Sequence, residues 1–141
     1  MRAMSVQFRL AMVAIAILAV LAVTAASGLA TVKGGNYVGL TSEKDQVGQK
    51  LNVGLKVYRH KTRVQLTYFE FLNIGCTKVT QLAGDTVKLK SNGKFRLNKP
   101  DTPFDSGYVA GKFKGNKASG TAKFPDRCSN DLIRWKAKLS G

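Results

Sequence analysis

Apolar residues recur at every second position through most of the chain after residue 30, which is the period of a half-buried β-strand. The clearest example is residues 51–57, where the apolar positions are Leu51, Val53, Leu55 and Val57. Residues 132–139 repeat the alternation around Trp135, and shorter alternations occur at 36–41, 79–82, 86–90 and 94–98. No segment after residue 30 sustains an apolar period of 3.6 residues. The pattern predicts an all-β fold, a single antiparallel sandwich or small barrel of eight or nine strands.

Residues 107–124 contain two further alternating runs. Two alternating runs meet at Gly115-Asn116, which is typical of a β-hairpin. Lys112, Lys114 and Lys123 fall on the polar side of the two runs. The small residues of the apolar side are predicted to be packing sites beneath Trp135: Gly111, Ala118 and Gly120.

The alternation changes step between residues 64 and 74. Val64, Leu66 and Tyr68 share one parity, whereas Phe69 and Phe71 have the other. A shift of one residue moves side chains to the opposite face, so the pattern predicts a β-bulge or bend near Tyr68 or Phe69. The alternative is a strand that is buried on both faces. Glu70 lies inside this strand and is expected to pair with a lysine or arginine across the sheet. Turns are predicted at 42–45, 59–62 and 91–93.

The first thirty residues have a different composition. Arg2 and Arg9 precede an unbroken apolar run at 10–23, and small residues follow up to Ala30. This order predicts a secretory signal peptide over residues 1–30, followed by one secreted β domain over residues 31–141. The alternative is an uncleaved membrane anchor, although a bilayer span needs about twenty apolar residues. The expected location is therefore secreted or associated with the cell envelope.

The net charge and the two cysteines indicate a strongly basic domain with one disulfide. The chain carries a formal net charge of +15, and only Arg2 and Arg9 of its basic residues precede residue 31, so residues 31–141 carry +13. Such an excess produces a long-range positive field. Cys76 and Cys128 are the two cysteines. In an exported chain they are expected to form one disulfide.

Residue types that support catalysis are sparse. His60 is the single histidine, and it lies in a turn between Arg59 and Lys61, without a nucleophile or an orienting partner beside it in the sequence. The acidic residues fall almost entirely in predicted turns, and neither a phosphate-binding loop nor a cluster with metal-ligand spacing is present. We therefore expect no enzymatic activity, no cofactor and no metal.

The outward positions of the later strands carry the most distinctive chemistry. By parity, ten cations point away from the apolar side: Lys88, Lys90, Lys94, Arg96, Lys112, Lys114, Lys123, Arg134, Lys136 and Lys138. They predict a polyanion-binding face for polymers of the cell envelope or an anionic membrane surface. The alternative is a solvated face whose lysines prevent edge-to-edge aggregation. Without a reading helix or aromatic residues between the lysines, sequence-specific nucleic-acid recognition is not predicted. The sequence does not indicate an oligomeric state.

Two other binding functions are compatible with the pattern. One is a carrier of a small apolar ligand, with an internal pocket lined by aromatic residues: Tyr37, Phe69, Phe71, Phe95 and Trp135. The other is a secreted inhibitor that would present the proline-containing loop at residues 100–106.

Several short motifs follow one another in a specific order. They are Tyr37-Val38-Gly39-Leu40-Thr41, Cys76, Gly93-Lys94-Phe95, Gly111-Lys112-Phe113, Ala118-Ser119-Gly120-Thr121, Cys128 and Trp135-Lys136-Ala137. In this order the chain resembles a family of small secreted bacterial all-β domains of unassigned function. The resemblance covers nearly all of residues 31–141. It implies the β architecture and the Cys76–Cys128 pair, and it implies no catalytic activity. The dense lysines are not part of the family pattern.

Overall fold

The computed structural model describes residues 31–73, 75–84, 86–98, 107–124, 128 and 131–141. The predicted signal peptide at 1–30 and the predicted inhibitory loop at 100–106 lie outside these residues. The strands of the described part are β1 (Gly35–Lys44), β2 (Lys50–Val57), β3 (Arg63–Leu72), β4 (Val79–Leu82), β5 (Thr86–Lys88), β6 (Lys94–Asn98), β7 (Tyr108–Lys114), β8 (Lys117–Lys123) and β9 (Ile133–Leu139). No helix among these residues is long and apolar enough to span a membrane.

The strands form one antiparallel sheet in the order β4-β3-β2-β1-β9-β8-β7-β6, and β5 pairs with the beginning of β3. The sheet curls, because the turn after β5 leads directly into β6 at the opposite end of this order. The Leu89 N–H donates to the Thr62 carbonyl oxygen, and the Lys90 N–H donates to that of Lys94. The predicted all-β fold is confirmed. The described strands form a single curled, barrel-like sheet.

The concave side of the curled sheet holds the core, which is dominated by aromatic rings. The centroid of the Tyr37 ring lies 4.8 Å from that of Phe113, which in turn lies 5.5 Å from the Phe95 ring. The rings of Phe71 and Phe124 stack at 4.8 Å. Because these rings are nearly inaccessible to solvent, their burial contributes a large part of the hydrophobic stabilisation.

Trp135 is buried against two glycines of the β7–β8 hairpin. A Cβ atom at Gly111 would lie 2.4 Å from Trp135 Cζ2, and one at Gly120 would lie 1.9 Å from the Ala110 carbonyl oxygen. Only glycine leaves room for the indole and for this close strand pairing. The predicted packing of Gly111 and Gly120 beneath Trp135 is thus what the structure shows.

The turn of this hairpin also fixes the beginning of the described chain. Gly115 has a φ of +60°, a conformation that glycine adopts at little steric cost. Its N–H donates to the Thr31 carbonyl oxygen, and it forms a parallel bridge with Val32. The Tyr37 hydroxyl lies 2.9 Å from the carbonyl oxygens of both Lys33 and Gly115, and its single hydrogen is shared between these two acceptors.

The irregularities of the sheet confirm one local prediction and correct two others. Leu55 pairs with Leu66 and Gly54 pairs with Tyr68, so Thr67 is the extra residue of a β-bulge at the predicted place. The predicted turn at 42–45 is wrong, because β1 continues to Lys44. Glu70 accepts hydrogen bonds from the backbone N–H and the side-chain amide of Asn52, both at 2.8 Å, in place of the expected cationic partner.

The predicted disulfide is present between Cys76 and Cys128, with the two Cα atoms 4.8 Å apart. It joins the connection after β3 to the connection before β9. The Cys128 N–H also donates to the Leu72 carbonyl oxygen. These contacts hold the two connections together at one end of the sheet, and a disulfide of this kind is compatible with an extracellular location.

Candidate functional site

The outward side of β9 and its neighbours carries the cations that the sequence analysis identified. Ile133, Trp135 and Ala137 are buried in the core, so the residues between them must point to the opposite side. Arg134, Lys136 and Lys138 are accordingly exposed. The same alternation on β6, β7 and β8 turns their cations to the same side of the sheet.

Strand register arranges these cations in three rows that run across the strands. The first row contains Lys138, Lys117 and Lys114 on adjacent strands. The second row runs from Lys136 through Ser119 and Lys112 to Lys94, and the third runs from Arg134 through Thr121 and Ala110 to Arg96. We call this surface, completed by Lys50 and Lys90 at its margins, the basic face. Adjacent strands are about 4.8 Å apart, so directly opposed lysines are close neighbours.

The basic face contains a groove of about 850 Å³ over β1, β9, β8 and β7. Seven cations line it: Lys50, Lys112, Lys114, Lys117, Arg134, Lys136 and Lys138. Two outward side chains of β1 also line the groove, with Val38 opposite Lys138 and Leu40 opposite Lys136. The groove therefore combines cations with exposed apolar side chains on β1.

A second, smaller groove of about 410 Å³ continues the basic face over β6, β7 and β8. Lys90, Lys94 and Arg96 line it, and it shares Lys112 and Ser119 with the larger groove. An extended anion could follow both grooves across five strands, a path of about 19 Å at the usual strand spacing.

Eight of the ten predicted cations line one of the two grooves. The exceptions are Lys123, which lies on the outward side of β8 opposite Tyr108, and Lys88, which pairs with Arg63 on β3. Lys90 lies in the turn that follows β5 and not in the strand that the sequence predicted. Sequence analysis missed Lys50 and Lys117. Each is the first residue of a strand and is followed by a buried apolar residue, so the alternation already indicated that its side chain points outward.

The lining of the two grooves contains no aspartate or glutamate among the residues that the structure describes. In the second row the nearest acidic residue is Glu70, which lies beyond Leu40 and Asn52. It is three strands from Lys136, about 14 Å at the usual spacing. At physiological salt the Debye length is about 8 Å, so Glu70 barely offsets the positive potential of the groove.

Two contacts hold the Arg96 side chain on the basic face. Its Cζ atom lies 3.9 Å from the centroid of the Tyr108 ring, and its Nε–H donates to Asn98 Oδ1 at 2.8 Å. The cation–π contact and the hydrogen bond fix the guanidinium plane over β6 and β7. Lysine predominates elsewhere, and its compact, mobile charge suits attraction to a diffuse anion more than bidentate recognition.

No histidine or acidic side chain of the described residues lines either groove. His60 lies in the exposed turn between β2 and β3. No group of three or more histidine, cysteine or acidic side chains in the described part of the chain could hold a metal ion. Burial raises the pKa of the Tyr37 phenol, and the hydrogen bond to the Lys33 carbonyl oxygen partly offsets the increase. Tyr37 has a packing role in the core.

The aromatic side chains that would line an internal carrier pocket are all buried in the core: Tyr37, Phe69, Phe71, Phe95 and Trp135. Phe95 lies 6.1 Å from Trp135 and Phe69 lies 5.6 Å from Phe124, as measured between ring centroids. An internal ligand would have to displace these rings. The carrier hypothesis remains a prediction, as does the inhibitor hypothesis, whose loop lies outside the described residues.

Comparison with known proteins returned no match for this chain, whether to a protein-family model, to a curated protein or to a solved structure.

Proposed function

We propose that this protein is a non-enzymatic binding module that attaches to an anionic polymer or membrane surface of the cell envelope through its basic face. The observation that carries the proposal is the groove whose lining contains seven cations and, among the described residues, no acidic side chain. Lysines that oppose one another across strands repel, so a ligand that supplies negative charge between them gains more than one that binds isolated lysines.

The geometry favours a diffuse, multivalent contact. A single small anion would be held by one or two lysines and would be weakly bound in water, because an isolated surface ion pair contributes at most about 1 kcal/mol. An anionic polymer or lipid surface meets several lysines together. Each additional lysine near such a surface adds about 1 kcal/mol, and the attraction decreases strongly with salt.

The proposal is tested with residues 31–141 in the oxidised form, because this segment contains every strand and core residue that the structure describes. Its association with heparin and with vesicles containing phosphatidylglycerol is measured at several salt concentrations. The K117Q/K136Q variant removes two charges from the groove, and we expect its association constants to fall by about thirty-fold.

The matched control is the K61Q/K78Q variant, which removes the same net charge from exposed positions outside both grooves. We expect a fall of no more than a few-fold, through the smaller overall field. If the association constants of the two variants fell equally, the basic face would act only through the net charge of the protein, and the proposed site would be wrong. Absence of salt-sensitive association of the native protein with either probe would refute the proposed function.

A further inference from the structure

The outward side of β1 exposes two large apolar side chains directly beside the basic face. Val38 is 44% exposed and Leu40 is 48% exposed. They lie opposite Lys138 and Lys136, and all four residues line the larger groove. The first two rows of the basic face therefore end in apolar side chains at β1.

Tyr68 extends this apolar end to β3. Gly54 is the residue between Val38 and Tyr68 in the first row. A Cβ atom at Gly54 would lie 2.3 Å from Tyr68 Cε1, so the phenol ring covers this glycine on the outward side of the sheet. We call Val38, Leu40 and Tyr68 the apolar strip. Tyrosine, with its apolar ring and polar hydroxyl, is a residue type enriched where membrane lipid meets water.

Cations beside exposed apolar side chains match one class of anionic partner better than the others. A soluble polyanion can neutralise the lysines but leaves Val38 and Leu40 in water. A bilayer with anionic headgroups offers charge to the lysines and a less polar boundary to the adjacent apolar side chains. Peripheral membrane proteins gain stable attachment by combining these two contributions, since either one alone is weak.

We infer that the basic face and the apolar strip together form a docking surface for an anionic lipid bilayer. The lysines of the three rows contact headgroups, and Val38, Leu40 and Tyr68 enter the boundary between headgroups and acyl chains. This inference rests on the proposed function, because the lysines supply the initial attraction. It goes further in naming lipid as the partner and in giving β1 a binding role.

The V38T/L40T variant tests the apolar contribution, because threonine keeps a side chain suited to a strand and removes apolar area. Binding is measured to vesicles of phosphatidylglycerol and phosphatidylcholine, to vesicles of phosphatidylcholine alone, and to heparin. We expect the variant to bind the anionic vesicles about tenfold more weakly, and to bind heparin as the native protein does. The V79T variant alters an exposed valine on β4 and serves as the matched control, with unchanged binding expected.

The outcomes separate the inference from the proposed function. If V38T/L40T binds anionic vesicles like the native protein while K117Q/K136Q does not, the basic face functions without the apolar strip and the lipid inference is wrong. If heparin binds and anionic vesicles do not, the partner is a soluble or wall polymer and the inference is again wrong. If the native protein binds neither anionic vesicles nor heparin, the proposed function itself is wrong. Thermal unfolding of each variant verifies that the sheet is intact.

Discussion

Lys117 provides a direct test of the electrostatic strain in the basic face. It lies between Lys114 on β7 and Lys138 on β9, and each of these two lysines is directly opposite in register. If no anion neutralises the row, removal of the central charge relieves two repulsions. The K117Q variant is therefore expected to be more stable than the native domain at low salt, although it loses a side chain with a long apolar stem.

The size of the repulsion between Lys117 and its two neighbours follows from the strand spacing. With strands about 4.8 Å apart and mobile lysine stems that spread outward, about 7 Å between neighbouring ammonium groups is a reasonable separation. Two unit charges at about 7 Å in water repel by about 0.6 kcal/mol, so two pairs give about 1.2 kcal/mol. At about 0.01 M salt, with a Debye length of about 30 Å, about 0.9 kcal/mol survives, whereas at about 1 M salt only about 0.1 kcal/mol remains.

The assay is urea unfolding of oxidised residues 31–141 at low and high salt, with the K78Q variant as the control for loss of one charge. We expect K117Q to raise the free energy of unfolding by about 0.5–1 kcal/mol at low salt and by almost nothing at about 1 M salt. K78Q should change it by a few tenths of a kcal/mol at most. A destabilised K117Q variant, or a salt-independent effect, would mean that an acidic partner neutralises the row and that the reasoning is wrong.

Three further predictions concern the fold that supports the face. G120A should destabilise the domain by about 3 kcal/mol or more in chemical unfolding, because the added methyl meets backbone, whereas G115A, with open space but positive φ, should lose about 1–2 kcal/mol. Replacing both cysteines by serine should lower stability by about 4 kcal/mol at a loop of this length, and reductant should then have no further effect. Burial raises the Tyr37 pKa above 10.0, so its stabilising contribution is complete below that pH and is lost as pH rises through the higher folded-state value. The free energy of unfolding of Y37F should therefore decrease less at alkaline pH than that of the native domain. Phenolate absorbance of Y37F should show one fewer tyrosine that titrates at high pH.

The alternation of apolar residues was sufficient to predict the later strands and the side to which each side chain points. It worked best on β9, where large apolar and cationic residues alternate without interruption. It was ambiguous on β1, because Val38 and Leu40 are as apolar as the residues of the opposite parity. The structure buries Tyr37 and Thr41 and leaves Val38 and Leu40 exposed. The apolar strip could not be assigned without knowing that β9 and β2 flank β1.

Parity also identifies a face without identifying neighbours, which explains why Lys88 lies apart from the other predicted cations. Lys88 has outward parity like Lys94, but its strand pairs with β3 instead of β7. That pairing depends on where the turn after β5 directs the chain, a tertiary property absent from local periodicity. Glu70 shows the same limit. Its strand and outward orientation were predictable, whereas its hydrogen bonds from Asn52 depend on the register of β2 against β3.

The pairing of β1 with β9 has a consequence for how the chain acquires its structure. The strands at the two ends of the described segment lie side by side in the middle of the sheet order, and the Ser140 N–H donates to the Asn36 carbonyl oxygen at 2.8 Å. The sheet cannot be completed until the last strand has emerged, so native contacts join residues about a hundred positions apart, a topology associated with slow folding. The same proximity makes the domain a natural candidate for circular permutation, in which a short linker joins β9 to β1 and a new start is opened in a distant turn.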